Sequence, residues 1–178
     1  MRRLLGLLTI VAIAGLLLAV SPGVAGGGVS PPAQASAADQ NLAIIVNQAN
    51  TVDDISLKEL RTVFLGERSH WPNGRRITLV MMDSGMVERK TVLRDICHMS
   101  ETEFSRHFLQ GLFTGEVFVS PKTLSSPIGV RKFVFNVPGA IGYVRSADVD
   151  GTVKVIKVNG HGLEDADYPL HIEVKVSK

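Results

Sequence analysis

Ser56-Leu57-Lys58-Glu59-Leu60-Arg61-Thr62-Val63-Phe64-Leu65-Gly66 is followed, after Glu67-Arg68-Ser69, by His70-Trp71-Pro72-Asn73-Gly74-Arg75-Arg76-Ile77. Ser56 and Glu59 have the spacing of a capping box, in which each side chain meets an orphan backbone N–H of the first turn. Leu57, Leu60, Val63 and Phe64 fall on one helical face, and Gly66 supplies the C-terminal stop. Pro72 fixes one turn dihedral, and Asn73-Gly74 tolerates the positive φ of a tight turn. The stretch therefore predicts a capped helix, a tight polar turn, and a strand entering the core. Trp71 either covers the end of the helix carrying Phe64 or offers an aromatic platform to a ligand or partner.

The chain has 178 residues, which suits one domain plus a targeting segment. Met1-Arg2-Arg3 is a short positive start, and Leu4 to Val20 is an apolar run. Small residues follow, with Ala33-Gln34-Ala35 and Ala35-Ser36-Ala37 both of the A-x-A cleavage type. A signal peptide over 1–37 is expected, cleaved between Ala25 and Ala37, with the mature domain over 38–178. The competing reading is a permanent membrane anchor, because the run approaches the length of a short span. No cluster of positive charge follows it to stop transfer.

Removing Arg2 and Arg3 from the 19 basic residues leaves them equal in number to the 17 acidic ones. A neutral domain lacks the electrostatic footprint of a nucleic-acid binder. The lone Cys97 has no internal disulfide partner and reads as a small buried hydrophobe. No cysteine directly follows the apolar run, so a released form, periplasmic or secreted, is expected. The five histidines assemble no metal-ligand spacing, and Cys97 and His98 diverge as helical neighbours. No nucleophile elbow, dinucleotide fingerprint or P-loop is present, so neither cofactor nor catalytic site is expected and a hydrolase is the least supported class.

Outward from the opening stretch, Asn41 to Asn47 and Ile77 to Met82 are short apolar runs suited to buried strands. A helix is predicted from the Asp83-Ser84-Gly85 turn to about His98, with Val92, Leu93, Ile96 and Cys97 inward. Ser100 and Glu103 form a second capping box, opening a helix through Phe104, Phe108, Leu109 and Leu112. Residues 115–127 read as irregular, and Gly129 to Asn136 as helical or extended. Pro138-Gly139 precedes a strand from Ile141 to Val144. Val153 to Val158 and His171 to Val176 alternate in the manner of half-exposed strands. Such alternation predicts an α/β fold with helices on the faces of one sheet.

Asp83-Ser84-Gly85-Met86 lies where a buried strand ends and a helix begins, the usual ligand position in open α/β sheets. A helix start offers unpaired N–H groups to an anion, Ser84 adds a hydroxyl, and Gly85 admits close approach. Arg89 either reaches such an anion or is a solvated surface arginine. The alternative for Asp83 and Ser84 is that they cap the helix.

Together with Pro138-Gly139-Ala140-Ile141-Gly142-Tyr143-Val144, the helix–Trp-Pro-Asn-Gly–strand order resembles the second lobe of periplasmic phosphate-binding proteins, over roughly Leu42 to Tyr168. The resemblance implies a single lobe of a type II periplasmic binding protein, with a mixed, mostly parallel sheet flanked by helices. In that family the matching turn reads Ser-Gly-Thr and grips phosphate oxygens. Ser84 and Gly85 match, Met86 replaces the threonine, and Val80 stands where the family has a clamping arginine. Asp83 fits a carboxylate that accepts a phosphate proton. The implied function is a phosphate-type solute-binding module with anion ligands at Asp83, Ser84, Gly85, Met86 and Arg89, serving a phosphate ABC transporter. A single lobe has one wall of the cleft, so weak phosphate binding, or a homodimer facing through the Asp83-Ser84-Gly85 edge, is expected. The alternative is a periplasmic accessory domain that kept the fold, lost the ligand, and contacts another protein.

Overall fold

The computed structural model describes residues 40–173; the signal segment predicted over 1–37 lies outside the described residues. Both capping boxes form as their spacing requires. Ser56 Oγ accepts from the Glu59 backbone N–H at the start of α1 (Leu57–Phe64), and Ser100 does the same with Glu103 for α3 (Glu101–Thr114). Hydrogen bonds from Ser56 and Ser100 hold the Glu59 and Glu103 carboxyls below the usual carboxylate range. Gly66 ends the first helical stretch with φ 72°, and its N–H donates to the Val63 carbonyl.

The apolar runs form β1 (Leu42–Val46), β3 (Thr78–Met82) and β5 (Ala140–Arg145). A further strand, β4 (Lys122–Leu124), lies inside the stretch predicted as irregular. It has no apolar run of its own and exists by pairing in parallel with the edge of β3, Met82 opposite Leu124. The main sheet has the order β4-β3-β5-β1-β6, with β6 at Lys154–Val155. β3 pairs in parallel with β4 and β5, while β1 is antiparallel to both β5 and β6. Four of the five strands therefore run in one direction and β1 runs against them, so the sheet is mixed and mostly parallel in strand direction.

The ambiguous stretch before Pro138 is a helix, α4 (Pro127–Asn136), starting two residues earlier than predicted. Ser126 accepts from the Gly129 N–H as N-cap, and Pro127 takes the first helical position, where its missing donor costs nothing. Asn47, just past β1, donates to the Val134 and Phe135 carbonyls near the other end of this helix. α4 packs on β5 so closely that a Cβ on Gly142 would come within 2.9 Å of Val130 Cγ1. Tyr143, the next residue, faces the opposite side, its ring 5.9 Å from that of Phe64 in α1. Helices therefore cover both faces of the sheet.

One strand prediction is corrected. Val153 to Val158 is not one half-exposed strand. Ile156 N–H donates to Ile44, and beyond it the chain leaves the main sheet as β7 (Lys157–Val158), parallel to β2 (Asp54–Ile55) in a second, two-stranded sheet. Of the strand predicted from His171, the described part makes a bridge to Asn41, and the remainder lies outside the described residues. The helix predicted after the Asp83-Ser84-Gly85 turn forms as α2 (Val87–Thr91) and continues to the expected end as a π-helical segment, Val92–Cys97. His98 closes it at φ 53°, its Nδ1 2.9 Å from the Arg94 carbonyl.

Cys97 is fully buried, and that burial pushes its thiol from 9.0 up to about 12. The folded state therefore keeps a proton that the unfolded chain releases near pH 8.5. This contribution to stability is complete below that pH and is lost as pH rises toward about 12. At pH 8 an aromatic disulfide reagent should leave native Cys97 unmodified and label it fully in denaturing urea. Rapid labelling of the native protein would contradict the burial.

Candidate functional site

β3 ends at Met82 and β4 at Leu124, opposite one another, so their carboxyl ends form a common edge. The Asp83 N–H donates to the Leu124 carbonyl at 3.1 Å, and the Asp83 carbonyl accepts from Met86 N at 3.1 Å. The first bond ties the turn to the end of β4, which Ser125 and the α4 N-cap Ser126 directly follow in the chain, and the second closes the turn on itself. Asp83, Ser84 and Gly85 are exposed, and open space lies where a Gly85 side chain would stand. The carboxyl edge of parallel strands is where open α/β sheets receive ligands.

Capping by Asp83 or Ser84 does not occur: the N-cap of α2 is Met86, with no side-chain hydrogen bond. Arg89 is not a solvated surface residue either. Its Nη1 donates to the Met82 carbonyl at 2.9 Å, which places the guanidinium at the end of β3. Nε and Nη2 donate to the two carboxylate oxygens of Glu101 at 2.9 and 2.6 Å, and the cation lies 5.3 Å from the centre of the Phe104 ring. This is the two-pronged geometry that gives guanidinium–carboxylate pairs their strength.

A second pair adjoins the same edge. Glu88, in the first turn of α2, is buried and takes a hydrogen bond from Arg145 Nε at the end of β5. Its other oxygen, Oε2, is buried without a hydrogen-bond partner among the described residues. Tyr143 completes the base of the site by accepting from the Met82 N–H at 2.9 Å. Burial pushes its hydroxyl up, and the Met82 bond and the Arg89 cation oppose that only in part.

The structure thus brings Asp83, Ser84 and Gly85 together in one exposed turn, with the half-buried Met86 following as N-cap of α2 and Arg89 turned inward. Sequence reading missed Ser125, Ser126 and Arg145. Ser126-Pro127 carried a readable signal, an N-cap followed by proline at the first helical position. Arg145 carried none, because only the register of β5 places it beside Glu88. Val80 is buried within β3 and forms part of the packing around Gly142. Trp71 is buried as well, donating to the Gly139 carbonyl at 3.0 Å, so it serves the core rather than a ligand platform. Among the described residues, no group of histidine, cysteine or acidic side chains could hold a metal ion, and no helix is long and apolar enough to cross a membrane.

A mixed, mostly parallel sheet covered by helices matches the fold of a single lobe of a periplasmic binding protein. Solved structures that it resembles include proteins described as phosphate transport receptors and substrate-binding proteins. An ABC-type phosphate transport receptor from Vibrio cholerae matches with a TM-score of 0.53 at 19% identity, over 68% of this chain and 47% of that one. A putative phosphate ABC transporter substrate-binding protein with bound phosphate, from Clostridium perfringens, matches at 0.57 and 20% identity, over 69% and 46%. PstS from Borrelia burgdorferi matches at 0.57 and 14% identity, over 73% and 53%. At these identities the likeness is one of fold, and the matched region spans about half the length of those proteins. No family model matches the sequence.

Proposed function

We propose that the chain is a periplasmic solute-binding module of phosphate type, exported by its N-terminal segment and working with a phosphate ABC transporter. The observation that carries this reading is the exposed Asp83-Ser84-Gly85 turn at the carboxyl edge of β3 and β4, in a fold shared with phosphate-binding proteins. The anion would take the Ser84 hydroxyl and turn amides, with Asp83 accepting a phosphate proton, Met86 opening the helix and Arg89 behind. One wall of a cleft buries little of an ion, so affinity is weak unless a second copy or another protein supplies the facing wall. Calorimetric titration with phosphate, with sulfate as the control anion, tests this directly. Saturable heat that disappears in Ser84→Ala supports the reading, and no heat at millimolar phosphate overturns it.

A second reading, a periplasmic accessory domain that no longer binds an ion, is favoured by two observations. The Arg89 fork is fully engaged within the protein, and Leu109, Leu112 and Phe113 on α3 are largely exposed. This reading expects no phosphate heat and normal function in Ser84→Ala, whereas a charge placed on the cleft surface would impair function.

A further inference from the structure

Every polar group of Arg89 that faces the protein is aimed at a definite acceptor. Nη1 is fixed to the end of β3 through the Met82 carbonyl, and the Nε–Nη2 fork is closed by both oxygens of Glu101. The two partners differ in access. The Arg89 side chain is 8% exposed, and that of Glu101 is 42% exposed. The guanidinium is therefore anchored, and the carboxylate is the member free to swing into water. Glu101 is also the first residue of α3, a position at which negative charge is favoured by the helix N-terminus. A tetrahedral oxyanion presents a pair of oxygens that suits a guanidinium fork much as a carboxylate does.

We propose that Glu101 is an internal stand-in for the anion: it occupies the Arg89 fork, and a bound phosphate takes Arg89 only by displacing it. This rests on the phosphate-type reading of the same site, and makes Glu101 the residue that sets its affinity. No bond is made or broken in the exchange, since one oxyanion replaces another on the same two N–H donors. Glu103 supplies the internal comparison. It carries the same charge on the same helix, but its carboxylate is engaged with Ser100 rather than with Arg89.

The test is titration of phosphate into the mature protein and its Glu101→Ala, Glu103→Gln and Arg89→Met/Glu101→Ala variants, each checked for native circular dichroism. Glu101→Ala should bind phosphate about tenfold or more tightly than the parent, the scale of freeing one charge-assisted fork. Glu103→Gln should bind as the parent does, and the double variant should lose the gain. Glu101→Gln, which keeps the side-chain volume, gives the same reading with a smaller gain should the alanine variant fold poorly. An equal gain in Glu103→Gln would mean a general field effect and would overturn the proposal. So would unchanged affinity in both Glu101 variants, which would leave the phosphate-type reading standing if the parent binds. Absence of binding in the parent and in both Glu101 variants would remove the proposal and that reading together.

Discussion

Gly139→Ala should destabilise the domain by about 3 kcal/mol, through overpacking that the backbone must move to relieve. A Cβ at this position overlaps the Arg76 carbonyl oxygen, which is main chain and has no rotamer by which to withdraw. The same glycine's carbonyl accepts from both Thr78 N–H and Trp71 Nε1, each at 3.0 Å. A shift that relieves the overlap therefore strains the start of the β3–β5 pairing, where Thr78 stands opposite Ala140. Thermal unfolding followed by far-ultraviolet circular dichroism should show a midpoint about 10 °C lower. Gly142→Ala makes a useful contrast. Its nearest neighbour is a Val130 methyl at 2.9 Å, on a side chain rather than the backbone, so the loss should be smaller. A Gly139→Ala protein as stable as the parent would show that Arg76 and Gly139 do not approach as described.

Trp71→Ala should cost about 4 kcal/mol, the range for removing a buried aromatic and leaving part of its volume empty. Trp71 is 2% exposed and sits inside the turn that it closes. Its carbonyl accepts from Gly74 N–H at 2.9 Å, its N–H donates to the Arg75 carbonyl at 2.8 Å, and Gly74 takes φ 77°. Asn73 Oδ1 accepts from the Arg75 N–H, fixing the far side of the turn. Trp71→Phe keeps much of the apolar volume but loses the indole N–H to Gly139, so about 1 kcal/mol is expected. Because both substitutions act on one carbonyl, Trp71→Phe combined with Gly139→Ala should cost less than the two single losses added together. Urea denaturation of the parent and the three variants measures this coupling, and strict additivity would mean that Gly139→Ala leaves the indole bond undisturbed.

These two positions lie in the segments that first suggested the fold, and their packing explains why those segments were readable. Capping boxes, the Asn73-Gly74 turn and the glycine stop after α1 are completed within a few residues, so local sequence is enough to specify them. The strands β1, β3 and β5 were readable for another reason. They lie between helices on both faces, and such strands need continuous apolar runs. At the candidate site the exposed turn was legible because a strand end and a helix start are both local signals.

What the sequence determined by itself was the two helices opened by capping boxes and the one after the Asp83 turn, the three buried strands, and the position of the Asp83-Ser84-Gly85 turn; 129–136 read equally as helix or extended chain. Tertiary structure alone decided the rest, because each remaining feature depends on a partner far along the chain. β4 is a strand only because β3 lies beside it, and Ile156 divides one apparent strand between two sheets because β1 and β2 each claim part of it. Arg89 was open to two readings, solvated or reaching an anion. Its burial follows from Glu101, twelve residues on, and from the carbonyl at the end of β3. A buried guanidinium needs acceptors on several sides, and only the folded chain supplies them together.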